Sequence, residues 1–109
     1  MQDRALEGRQ SAIDMMVLKA LSVEDMHGWG ISQYIQRVSG DILQITQGSL
    51  YPALHRLERD GYIRADWRPS ENNRRAKYYR LTAAGQRELG REHRQWTIFS
   101  DAVARVMQA

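Results

Sequence analysis

Between Gly48 and Thr82 the chain runs a short amphipathic helix, a sharp stop and a basic-tipped pair of strands in immediate succession, an order that few small folds can absorb. Leu50, Leu54 and Leu57 recur at i, i+4 and i+7, the spacing of one buried helical face, which turns His55, Arg56 and Arg59 the other way. Asp60-Gly61 ends that helix, because glycine accepts the left-handed conformation past a C-terminus. Tyr62 to Trp67 and Ala76 to Thr82 are rich in aromatic and branched residues and are long enough to pair antiparallel. Between them lies a tip of turn formers and arginine, residues 68–75.

Two caps compete for the start of this helix. Thr46 leaves Pro52 beyond the first turn, where it removes a hydrogen bond, whereas Ser49 keeps Pro52 inside the first turn. The helix is therefore expected over about 47–60, with a loose first turn.

The rest of the chain reads as helix. Ile13, Met16, Val17, Ala20 and Leu21 form one apolar face over residues 11–22, with Ser11 available as a cap. His27 leads into or caps a second helix over 29–39, which carries Ile31, Tyr34, Ile35 and Val38 and stops at Ser39-Gly40. The last helix starts at Thr82 and runs past Val106. Leu89, Trp96 and Val103 repeat every seven residues in it, with Phe99 and Val106 interleaved and Glu92 as the one polar interruption. A helix of about 25 residues spans roughly 37 Å, more than a three-helix body of this size can cover, so its far end is expected to pack on a second copy of the chain. The fold class that follows is mainly α with a small β-hairpin: a winged helix-turn-helix over 1–82 with its wing at about 62–82, then a dimerisation helix over 83–109.

Charge supports a nucleic-acid partner by its placement more than by its total of +3. Residues 1–45 hold 4 Lys/Arg against 6 Asp/Glu, residues 46–80 hold 8 against 4, and residues 81–109 hold 4 against 3. The positive excess thus sits on the third helix and the hairpin. Double-stranded DNA is the expected partner, met by Gln47, Ser49, Tyr51, His55, Arg56 and Arg59 on or near the outer face of the third helix and by Arg74, Arg75 and Lys77 at the hairpin. Arg56 is the candidate for bidentate contact with guanine, Ser49 and Tyr51 for phosphate; a core or rim position is the competing reading of Tyr51.

Leu89, Trp96, Phe99, Val103 and Val106 are the expected dimer seam, where Trp96 either packs the core or walls a pocket for a planar aromatic effector. Trp29 and Trp67 read as packing residues. An enzyme is hard to assemble here. His27, His55 and His93 are scattered, and no phosphate-cradling glycine pattern, metal-ligand pair or nucleophile motif is present in the sequence, so no cofactor or metal is expected. There are no cysteines, which excludes disulfides and thiolate zinc sites. No apolar run approaches the roughly 18 residues of a membrane span, and Asp3, Arg4 and Glu7 break up the N-terminal stretch, so the expected location is cytoplasmic.

Several of these pieces, in this order, resemble the PadR family of bacterial transcriptional regulators. His27-Gly28-Trp29-Gly30-Ile31 is similar to the family's opening of helix two, Gly48-Ser49-Leu50-Tyr51-Pro52-Ala53-Leu54 to its G-T-L-Y-P-x-L, and Lys77-Tyr78-Tyr79-Arg80-Leu81-Thr82 with Gly85 to its K-Y-Y-x-L-T-x-x-G. The single C-terminal helix with its tryptophan resembles the shorter branch. The resemblance implies a dimeric repressor that contacts an inverted-repeat operator through helix three and the wing, released from DNA in some members by small aromatic compounds. Trp29, Ser49 and the Asn72-Asn73 tip depart from the family pattern, so wing geometry and half-site preference do not carry over. A winged helix that docks on an acidic protein instead of DNA is the rival from another class.

Overall fold

Helix α1 (Arg4–Val23), strand β1 (Met26–His27), helices α2 (Gly28–Val38) and α3 (Gln47–Arg59), strands β2 (Ile63–Pro69) and β3 (Arg75–Leu81) and helix α4 (Ala83–Gln108) follow one another in the computed structural model. It describes residues 4–109, with side chains from Ala12 onward. The charges Asp3, Arg4 and Glu7 lie outside the residues whose side chains are described. The first helix is longer than its periodicity indicated: the backbone stays helical through Ser11 to Arg4, so Ser11 does not begin it.

The expected hairpin is there as β2 paired with β3, and β1 adds a third antiparallel strand, giving the order β1-β3-β2. Met26 and His27 pair with Tyr79 and Tyr78, while Ile63 through Pro69 pair with Leu81 through Arg75. Two residues offer no period to read, which is why β1 was invisible in the sequence. Strands β2 and β3 also run further into the expected tip, leaving a turn closed by the Ser70 N–H donating to the Arg74 carbonyl (2.6 Å) and the Asn73 N–H donating to the Ser70 carbonyl (3.0 Å). Asn73 takes φ 62°, a left-handed conformation that asparagine tolerates better than most side chains.

The core collects Val17, Leu18, Ala20 and Leu21 of α1, Ile31 and Ile35 of α2, Leu50, Leu54 and Leu57 of α3, Ile63 of β2 and Tyr79 of β3. Every leucine of the α3 repeat is buried, as its spacing requires. Val38, assigned to the apolar stripe of α2, is exposed, because the helix ends there and the chain turns away through Gly40 (φ 65°).

Capping follows the sequence at two helices. The His27 ring accepts the Gly30 N–H through Nδ1 (3.0 Å), and Thr82 Oγ1 accepts the Gly85 N–H (3.0 Å) while donating to the Gly61 carbonyl (2.7 Å). At α3, Thr46 is the cap, its Oγ1 accepting the Ser49 N–H (3.2 Å), and Pro52 lies inside the helix. The carbonyl of Gly48 loses its helical donor there, but residues 48 and 52 are both exposed and water can serve it.

A polar cluster joins α1, α3 and α4. Arg56 donates to Asp14 (2.9 Å), and Arg91 grips Glu88 with two nitrogens, its Nε at 2.9 Å, while reaching Glu92 (3.4 Å). Burial holds the Asp14 carboxyl above the usual carboxylate range despite Arg56. Burial, then the neighbouring Glu88, raises Glu92, whereas Arg91 lowers Glu88. Glu88 and Glu92 are like charges one helical turn apart. Glu92→Gln is therefore expected to stabilise the fold by about 0.2–0.5 kcal/mol at neutral pH. The folded state binds the Glu92 proton more tightly than the unfolded chain does, so acid relieves the wild type and the advantage of the variant shrinks as pH falls through the raised value. Melting curves of both proteins from pH 4 to 7 check this; a gap that widens in acid contradicts it.

Candidate nucleic-acid interface

Helix α3 and the wing tip lie on the same side of the molecule. Along α3, Gln47, Tyr51, His55 and Arg59 follow at four-residue steps and all are exposed, so the face opposite the leucines is a continuous polar stripe. Arg56 is not on that stripe. It is half-buried and bonded to Asp14, which ties α3 to α1. The signal was Asp14, a charge on the otherwise apolar face of the first helix. Ser49 is exposed, its hydroxyl accepting from the Thr46 hydroxyl (3.2 Å) at the start of the helix, and Arg59 pairs with the adjacent Asp60 (3.2 Å) in full view of solvent.

On the wing, Arg74 and Arg75 are exposed. Lys77 stands within β3, as the expected strand from Ala76 to Thr82 requires, 3.6 Å from Glu58 of α3 and over the Tyr79 ring at 5.6 Å. It thus bridges the wing and α3. Arg68 clamps the other side of the sheet, donating to Asp66 (3.1 Å) and to Asp25 (2.9 Å) and lying over the Tyr78 ring. The wing is thereby held to the α1–β1 turn as well as to α3.

A cleft of about 630 Å³ lies between the wing and the start of α2, with Tyr51 as the one α3 residue in its lining. Tyr51 forms its floor against Gly28, so close that a Cβ on residue 28 would come within 3.1 Å of the tyrosine hydroxyl. Trp29 and Trp67 stand in its walls, and Arg74, Arg75 and Lys77 supply cations. Both tryptophans, read from the sequence as packing residues, are more than half exposed, at 62 % and 58 %. The reason is local: Trp29 sits one residue into α2, on the side away from Ile31 and Ile35, and Trp67 extends the Ile63–Ala65 face of β2 past the end of the core.

The far half of α4 leaves the body. Leu89, expected in a seam, packs on the core with Tyr62 and Leu81, but Trp96, Phe99, Val103 and Val106 are exposed, with Trp96 and Phe99 ring centroids 6.1 Å apart. The molecule is accordingly elongated, 54 × 29 × 27 Å. Among the described residues, no group of histidine, aspartate and glutamate side chains is arranged to hold a metal ion, and no helix is long and apolar enough to cross a membrane.

Comparison with known proteins decides the family. The sequence profile of the transcriptional regulator PadR-like family matches residues 17–91, from the last third of α1 to the first third of α4. The chain belongs to the PadR-like family of transcriptional regulators. A transcriptional regulator of Mycobacterium tuberculosis is 31 % identical over 88 residues, 81 % of this chain and 78 % of that one. A transcriptional regulator from Clostridium thermocellum superposes with a TM-score of 0.80 at 26 % identity, covering 96 % of each chain. A PadR family regulator from Eggerthella lenta gives 0.77 at 28 % identity over 97 % of this chain and 90 % of that one. This PadR-like chain is thus a DNA-binding regulator and not an enzyme, with the winged-helix architecture of its family.

Proposed function

We propose that this PadR-like protein acts as a homodimeric repressor in the cytoplasm, binding an inverted-repeat operator. Residues 1–82 form its DNA-binding unit and residues 83–109 its dimerisation helix. The observation that carries the reading is the exposed stripe Gln47–Tyr51–His55–Arg59 lying beside the basic wing tip of Arg74 and Arg75. A helix presents such a stripe to base edges in a major groove, and cations beside it follow the phosphates. Two copies joined through α4 set their recognition helices about 34 Å apart on one DNA face.

Fluorescence anisotropy tests this with the DNA upstream of the protein's own gene and with a scrambled duplex, each over a salt series. Preference of about a thousandfold or more at equal salt supports an operator in that DNA. Equal binding that vanishes with salt counts against self-regulation through that site.

The dimer rests on the exposed half of α4, where Trp96, Phe99, Val103 and Val106 leave too much apolar surface for a helix that stays in water. Phe99→Asp is expected to convert the dimer to a monomer, seen by light scattering, and to lower operator affinity at least tenfold, because each half-site is then bound alone. A Phe99→Asp protein that remains dimeric places the interface elsewhere. Trp96, with Phe99 against it, is also the proposed contact for a planar aromatic effector that shifts the two protomers and releases DNA, a change requiring only a few kcal/mol of differential binding.

A further inference from the structure

Packing does not account for the two tryptophans of the cleft. Each keeps more than half of its surface in water, and each stands in the lining of one concave space. A recognition helix in a major groove and a wing at the flanking minor groove must straddle the single sugar–phosphate ridge between those grooves. In this chain a ridge entering beside α3 would meet the cleft that opens between the wing and the start of α2, with Tyr51 of α3 in its lining.

We propose that the cleft seats that ridge, with the indole faces of Trp29 and Trp67 packed on deoxyribose and with Tyr51, Arg74, Arg75 and Lys77 toward the phosphates. The proposal deepens the DNA-binding reading and rests on it. Charge agrees: three cations face one carboxylate in the lining, that of Glu71. So does the division of chemistry, since a deoxyribose offers an apolar face that an arginine cannot match and an exposed indole can. The contact is the same under every base, so the tryptophans contribute affinity and register but no sequence preference.

That last property makes a test possible with no knowledge of the operator. Trp29→Ala and Trp67→Ala are each expected to weaken binding to a mixed-sequence duplex of about 30 base pairs by roughly tenfold, with the dependence on salt unchanged, because an indole displaces no counterion. Trp29→Phe and Trp67→Phe keep an apolar ring and should recover most of the loss. Anisotropy across a salt series reads both quantities, and thermal melting verifies that each variant is folded. Alanine variants that bind like the wild type overturn the proposal, as does a loss confined to one sequence, which would make the indoles base readers. Wild-type protein that binds no duplex even at low salt would remove the DNA-binding reading itself, and this proposal with it.

Discussion

Gly85→Ala is expected to destabilise the protein by about 3 kcal/mol or more, enough to lower its melting temperature by at least about 12 °C. Gly85 is buried in the first turn of α4. A Cβ there would lie 2.0 Å from the Tyr62 carbonyl oxygen and 2.7 Å from Cδ1 of Leu81. The first of these neighbours is backbone, and it is already committed, accepting the Thr82 N–H at 3.1 Å. Moving it breaks the junction between the end of α3, the start of β2 and the entry to α4. The backbone of Gly85 is ordinary helix, so the cost is one of space and not of conformation, and it reverses the gain that alanine normally brings to a helix. Gly90→Ala is the control. Its nearest neighbour, at 3.5 Å, is the far end of the Arg94 side chain, so that variant should melt at or slightly above the wild type. Thermal melting by circular dichroism reads both; a Gly85→Ala protein as stable as its Gly90→Ala counterpart refutes the packing described for α4. Because the same junction aims α4 away from the body, partial loss at Gly85 should also disturb the proposed dimer.

The second large effect concerns the wing. Replacing Arg74 and Arg75 together by alanine is expected to cut affinity for duplex DNA on the order of a hundredfold near physiological salt, and to reduce the slope of log K against log salt by close to 2. Both residues are exposed, and the tip turn is closed by backbone hydrogen bonds, so the fold should not change. Lys77→Ala differs, because its ammonium group stands 3.6 Å from Glu58 in the free protein. That lysine must leave Glu58 to meet a phosphate, and its substitution should lower the slope by less than one. An unchanged slope in the arginine double variant would mean that the wing does not touch the phosphates, and would return attention to the protein-docking alternative.

These predictions draw on features of differing legibility in the sequence. The leucine repeat of α3, the cap at Thr82 and the stops at Gly40 and Gly61 were plain, because each is a local rule: a period, a hydroxyl before a helix, a residue that tolerates positive φ. The order of elements was plain for the same reason. The start of α3 near 47 was legible too, but its cap was not, since Thr46 and Ser49 both satisfy the rule and only the packed backbone selected Thr46, accepting Pro52 inside the helix on its wet side. Strand β1 was missed because pairing with Tyr78 and Tyr79, and not any pattern of its own, makes Met26-His27 a strand.

Side-chain roles at the candidate site divide in the same way. Exposure of Gln47, Tyr51, His55 and Arg59 follows from burying the leucines opposite them, a matter of helical geometry within one element. Arg56 shares that helix, yet Asp14, forty-two residues earlier, decides its direction. Leu89 obeys the seven-residue spacing of Trp96 and Val103 but packs on the core, because the body of the molecule covers α4 only as far as about Glu92. Trp29 and Trp67 have the composition of core residues and stand in solvent because the elements that carry them pass the core's edge. By itself the sequence determined the four helices, the β2–β3 pair, the caps at His27 and Thr82 and which face of each helix is apolar, since those depend on neighbours within a few residues. Only the tertiary structure decided which charges are spent inside the protein and which aromatic rings remain free, because both depend on what distant segments place beside them.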